Sequence, residues 1–125
     1  MKAFYDIKPQ RFEAVGNGST VYRYNIVEVD APESVEGGEP RKQWQCDEVV
    51  IWAPVTKKKV VAAVITATWE PNHEQKLVNE YNSAVLGLIE GEEATAAREA
   101  YSAFLSARRT LKASVEADCD EAGIV

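Results

Sequence analysis

Apolar residues recur with a period of two along the first half of the chain and in alternating steps of three and four along the second, the change falling close to Pro54. Strands present successive side chains to opposite faces, whereas helices return to one face every three or four residues, so the chain reads as strands followed by helices. Lys2 to Ile7 alternate loosely, and Arg11 to Val15 continue extended up to Gly16-Asn17-Gly18. That triplet predicts a hairpin turn, because Asn and Gly tolerate positive φ. Ser19 to Asp30 follow, with Tyr22, Tyr24 and Ile26 on one face and Val21, Val27 and Val29 mostly on the other. The change of phase near Ile26 marks a candidate bulge. Residues 31–40 hold two prolines, adjacent glycines and three glutamates, which predicts a long solvated hairpin tip. Arg41 to Ala53 form a third main strand, with Trp44, Cys46, Val50 and Trp52 on one side, interrupted by Glu48. Gln43, Gln45 and Asp47 face the other way until Val49 and Ile51.

Pro54 stops this strand and Thr56 is a suitable N-cap, with Val55 and Val60 spaced as a hydrophobic staple. A helix from about Lys57 to Thr68 is predicted, its stripe being Val60, Val61, Val64, Ile65 and Thr68. So many β-branched residues are mediocre helix formers, and a buried strand is the alternative reading of this segment. Asn72 is a candidate cap for a second helix, with Leu77, Val78, Tyr81, Ala84, Val85 and Leu88 as its stripe and an end around Gly87 to Gly91. Glu92 and Glu93 suit the first turn of a third helix, running to about Asp118, whose stripe is Ala94, Ala97, Tyr101, Phe104, Arg108, Leu111 and Val115. The short link makes these two helices antiparallel neighbours. Arg108 falls on their seam and must either reach its edge or pair with an acid there. Acidic Asp118 to Glu121 oppose the helix dipole, which predicts fraying.

The fold expected is α+β: an N-terminal antiparallel β-meander of about three strands, then one packing helix and a C-terminal helical hairpin. At 125 residues a single domain is expected over 1–125, β-rich over 1–55 and helical over 56–125. Hydrophobic residues at 46% and charged residues at 27% set the chain apart from disordered sequences. The net charge of -6 is spread evenly, since residues 1–55 carry 6 basic and 9 acidic side chains and residues 56–125 carry 8 and 11. An evenly acidic chain argues against nucleic acid or an anionic membrane as the main partner. The start meets Asp6 before any apolar run, and Val60 to Trp69 is only about half a bilayer span. Neither an export signal nor a membrane anchor is expected, and the compartment expected is the cytoplasm.

Candidate chemistry is sparse. His73 is the only histidine, so any histidine-based triad or metal site must include it, yet it falls in an exposed first helical turn after Pro71. Cys46 and Cys119 are far apart and show no ligand or redox spacing. Cys46 reads as a small buried hydrophobe, and the acids around Cys119 raise its pKa and dull it. Gly16-Asn17-Gly18 lacks the third glycine and the following helix of a dinucleotide-binding turn. No catalytic residue, metal or cofactor is assigned. Lys57-Lys58-Lys59 is the one basic run, and three cations at a helix start are electrostatically unfavourable, which hints at a use. Tryptophan is enriched at binding hot spots. Core positions are expected for Trp52 and Trp69, and an exposed aromatic contact for Trp44.

The order Phe4-Tyr5-Asp6, Ala53-Pro54-Val55-Thr56, a Val-Ile helix closing on Trp69, Glu80-Tyr81-Asn82-Ser83-Ala84 and Ala100-Tyr101-Ser102-Ala103-Phe104 resembles small uncharacterised proteins encoded near tail and tail-fibre genes in bacteriophages and prophages. The resemblance implies a virion-associated or assembly-related accessory protein, with no family catalytic residues to carry over. Such proteins place acidic residues after the capping Thr where Lys57 to Lys59 stand here, so no shared surface function of that helix carries over.

Together these readings predict a non-enzymatic interaction protein of the bacterial host cytoplasm or the virion. Its expected partner is another protein or a second copy, met through the tryptophan-bearing sheet face or the helical hairpin, with candidate contacts Trp44, Tyr22, Tyr24, Lys57, Lys58 and Lys59. Sheet edges favour a homo-oligomer. The alternative is a small-molecule-binding or catalytic domain with a pocket of Tyr22, Tyr24 or Trp44 and carboxylates on the sheet. Nucleic-acid binding through Lys57 to Lys59 ranks last.

Overall fold

A computed structural model describes residues 1–31 and 41–125. Gly16 and Gly18 take positive φ of 80° and 89°, and between them Asn17 Oδ1 accepts hydrogen bonds from the Ser19 backbone N–H and hydroxyl. This closes the predicted hairpin between β2 (Phe12–Ala14) and β3 (Ser19–Asp30). β3 then pairs with β4 (Lys42–Trp52) from Ser19 opposite Trp52 to Asp30 opposite Lys42. The register slips between Tyr24 and Val27, with Asn25 at φ 53°. That is the bulge that the phase change predicts; Asn tolerates the left-handed conformation it requires. The expected solvated tip over 32–40 lies outside the described residues.

The predicted continuous first strand is instead two short ones. β1 (Lys2–Tyr5) pairs with β4, giving the sheet order β1-β4-β3-β2. Residues 6–11 therefore cross from one edge of the sheet to the other, and Pro9 in this stretch has no N–H to offer a ladder. On the way, Gln10 O accepts from Arg23 Nη1 at 3.0 Å and Lys8 Nζ stands 5.4 Å from the centroid of the Trp44 ring.

Among the described residues the fold is α+β: four antiparallel strands in one sheet, then three helices. α1 (Lys57–Thr68) begins where predicted, with Thr56 Oγ1 accepting from the Lys59 N–H at 3.2 Å. Tertiary packing overrides its β-branched composition, since Val60 and Val64 are fully buried in the core. α2 (Pro71–Val85) is capped at Glu70, two residues ahead of the expected Asn72 and with no side-chain cap bond. Pro71 accounts for this, because its fixed φ and missing N–H suit the first helical position.

α3 (Gly91–Glu121) runs three residues past the expected end. Its acidic terminus is held, not frayed. Tyr22 donates to Asp118 at 2.5 Å, Arg11 pairs with Asp118 at 3.0 Å and Glu121 at 3.2 Å, and Lys57 pairs with Asp120. These cations and the buried hydroxyl offset the unfavourable dipole. At about 46 Å, from 1.5 Å per residue, α3 is long enough to serve two partners. Tyr81 meets Tyr101 and His73 meets Phe104, so α2 lies antiparallel along its first half. Trp69 meets Phe104 edge-on and Lys57 meets Asp120, so α1 lies antiparallel along its second half.

The main core joins Tyr22, Val49 and Ile51 of the sheet to Val60, Val64, Val115 and Cys119 of the helices. The covered face of β4 is thus the one bearing Val49 and Ile51. Trp52, predicted to be core, is 60% exposed and Val50 54% exposed. Trp69 is half-buried against Phe104. No helix among the described residues is long and apolar enough to cross a membrane.

Candidate functional site

The six candidate contact residues do not converge. Tyr22 has no exposed surface and is stacked between Phe12 and Tyr24, so it is a core residue and not a contact. Burial, then the hydrogen bond to Asp118, pushes its hydroxyl well above the ordinary tyrosine pKa. Tyr24 is half-buried on the same face and lines a hollow of about 260 Å³ with Asp47, Thr68 and Leu111. Burial, then the Asp47 charge, raises its pKa. Here a candidate aromatic residue meets a carboxylate on the sheet, but the hollow is smaller than the usual range of ligand pockets. Trp44 lies on the opposite face, half-buried beneath Lys8.

The three lysines divide their work. Lys57 pairs with Asp120 of α3, and Lys59 Nζ donates to the Trp52 carbonyl at 3.1 Å. Both tie the start of α1 to its neighbours, which answers why cations stand at a helix N-terminus. Lys58 makes no ion pair among the described residues and lines a groove between α1 and α3.

The reactive candidates are placed as follows. Cys46 and Cys119 are buried, and burial raises both thiols, with Glu48 adding to the effect at Cys46 and Asp118 at Cys119. His73 is exposed with its ring edge-on to Phe104. Among the described residues, no three His, Cys, Asp or Glu gather as a metal site requires.

Two surfaces are more informative: the tryptophan-bearing sheet face, which the sequence reading offers as a contact surface, and a groove that it does not single out. On the sheet face turned away from the helices, Val21 stands opposite Val50 and Ser19 opposite Trp52, while the Val15 N–H bonds the Ser19 carbonyl. By strand alternation Val15, Val21, Val50 and Trp52 share this face. All but half-buried Val21 are strongly exposed. Deeper on the same face, Arg23 opposes Glu48 in register and their side chains are 7% and 20% exposed. Arg23 Nε donates to Glu48 at 3.0 Å, Nη1 pairs with Glu13 at 2.8 Å, and the Tyr5 hydroxyl also donates to Glu48. Burial alone would raise the Glu48 carboxyl, but the bonds from Tyr5 and Arg23 outweigh it and hold its pKa below the ordinary value. The signal was present in the sequence: Glu48 interrupts one apolar side and Arg23 interrupts a β-branched run, and both fall on strands that pair.

The second surface is the α1–α3 groove, of about 730 Å³. Val61, Ala62 and Ile65 form one wall, and Arg108 and Lys112 of α3 stand opposite with Glu116 beyond them. Arg108 neither reaches an acid nor frees all of its donors: its Nε is shut from solvent and has no hydrogen-bond partner. A buried donor left without an acceptor costs about 1–3 kcal/mol. No family model matches the chain, and no curated protein or solved structure matches it either.

Proposed function

We propose that this is a non-enzymatic interaction protein of the tail-accessory or assembly kind that the sequence resemblance implies. Its working surface is the open sheet face around Trp52, and the first occupant of that face is a second copy of the chain. The observation that supports this is a tryptophan 60% exposed beside exposed Val50 and Val15. Tryptophan buries a large area at little entropic cost and dominates contact energies where it is enclosed. A two-fold axis through the patch lays Trp52 of each copy against the valines of the other, an isologous contact that closes at the dimer. In this reading the sheet and α1 are the base, and the α2–α3 helical hairpin is an arm whose far end carries exposed Leu86 and Leu88.

Light scattering of the purified protein tests the reading. The wild-type chain is expected to run as a dimer, and Trp52→Ser to weaken association by about 2 kcal/mol with an unchanged far-ultraviolet circular dichroism spectrum. Leu88→Ser, in the link between α2 and α3, is expected to leave association intact. A wild-type protein that stays monomeric at every attainable concentration overturns self-association. The tail assignment rests on a separate arm, recovery of tail components from induced cells by the wild-type chain but not by Trp52→Ser. Failure to recover them removes that assignment.

A further inference from the structure

We infer that the groove between α1 and α3 binds a small amphipathic anion, a molecule with an alkyl or similarly apolar body and one terminal carboxylate or phosphate. Its volume, about 730 Å³, falls in the range of sites that hold small ligands. Val61, Ala62 and Ile65 come from successive turns of α1 and give it an apolar wall.

Charge then selects the ligand. In a chain of net charge -6, this groove gathers Lys57, Lys58, Arg108 and Lys112 against Glu116 and the last residue, Val125, whose backbone oxygen accepts from the Lys57 N–H at 3.1 Å. Lys57 is already held by Asp120. Lys58, Arg108 and Lys112 make no ion pair among the described residues. Arg108 and Lys112 lie one turn apart on α3 and so project from the same side.

Arg108 supplies an independent observation. Among the described residues, its Nε is the one buried side-chain polar atom without a hydrogen-bond partner. Native proteins rarely leave such a donor unused, and the explanations include an ion or ligand that completes it. A guanidinium offers a planar fork suited to two oxygens of a carboxylate or phosphate. A head group seated between Arg108 and Lys112 supplies those oxygens, and a turn of the Arg108 side chain toward it satisfies Nε. The apolar body then lies along Val61 and Ile65.

Isothermal titration with decanoate, decyl phosphate and the neutral decanol, each below its aggregation limit, tests the inference. At least one of the two anions is expected to bind at least about tenfold more tightly than decanol, and the tighter anion names the head group. Arg108→Leu with Lys112→Gln is expected to remove that advantage, and Ala62→Trp, at an exposed wall position, to block binding while the fold is retained by circular dichroism. Trp52→Ser, on the far side of the sheet, is expected to bind as wild type does, so this result stands apart from self-association. Equal affinity for decanol, absence of binding by both anions, or full binding by Ala62→Trp overturns the inference.

Discussion

Replacing Arg23 by Leu is expected to lower the free energy of unfolding by about 3 kcal/mol, the lower end of the range for removing one partner of a buried ion pair. The loss arises less from the missing attraction than from what is left behind. Glu48 stays on the sheet with its side chain only 20% exposed, keeping the Tyr5 hydroxyl bond and the weaker pull of the N-terminal ammonium but losing its ion pair, and a largely buried carboxylate so reduced in partners is costly. The Gln10 carbonyl also loses the donor that fastens the crossing stretch to the sheet. Adding Glu48→Leu is expected to recover at least half of the loss, because two apolar residues facing each other across a strand pair carry no stranded charge. Urea unfolding of the single and double variants measures both numbers. A single variant that costs under about 1 kcal/mol, as exposed pairs do, shows that the cluster behaves as surface.

The same pair sets an acid dependence. The folded-state pKa of Glu48 is depressed, so its contribution is fully present above the ordinary glutamate value, about 4.3, and is lost as pH falls through the folded value. Glu48→Gln is therefore expected to flatten the decline of stability in that acid window while lowering stability at neutral pH. A Glu48→Gln curve parallel to wild type throughout shows that other carboxylates govern the acid transition.

Element types were legible along this chain wherever a local rule settled them. Gly16-Asn17-Gly18 fixed the turn, Thr56 the first helical start, and the broken alternation at Ile26 the bulge; each is decided within a few residues. The edge exchange was not, because nothing in Lys2 to Tyr5 states that its partner is β4, some forty residues on, and not the next strand. The face that is covered was equally hidden. Val49-Val50-Ile51-Trp52 is apolar on both sides, so alternation gives two faces without saying which one α1 covers. Only the path of the chain after Pro54 decides it, and it buried Ile51 while leaving Trp52 to solvent.

That choice of face explains the fate of the candidate contacts. Tyr22 and Trp52 carry similar sequence signals, an aromatic residue within an alternating run, and they end on opposite faces with opposite exposures. The groove was illegible for a different reason: Lys58 and Arg108 are fifty residues apart, and only the antiparallel packing of α1 on α3 brings them together. The sequence did expose Arg108 as anomalous, a cation on an apolar seam, without indicating that it would find no acid there.

Tyr22→Ala is expected to cost about 4 kcal/mol, in the range for emptying a buried aromatic site, against a total of about 5–15 kcal/mol for a typical domain. Its ring has no exposed surface and stacks on both Phe12 and Tyr24 at centroid distances of 4.7 and 5.4 Å. Two strand residues and the last turns of α3 thus lose a common neighbour at once. Tyr22→Phe separates the hydroxyl from the ring. It removes only the 2.5 Å bond to Asp118 and is expected to cost about 1.5–3 kcal/mol, the range for bonds to charged groups. Because that bond pins the acidic end of α3 to the sheet, the loss is expected to be local as well as global. Cys119, adjacent to Asp118 and fully buried, reports on it: its reaction with a thiol reagent is expected to quicken in Tyr22→Phe while that of Cys46, buried on the other face, stays unchanged. If both thiols respond alike, the hydroxyl supports the domain as a whole and the anchoring of α3 rests on Arg11 and Lys57.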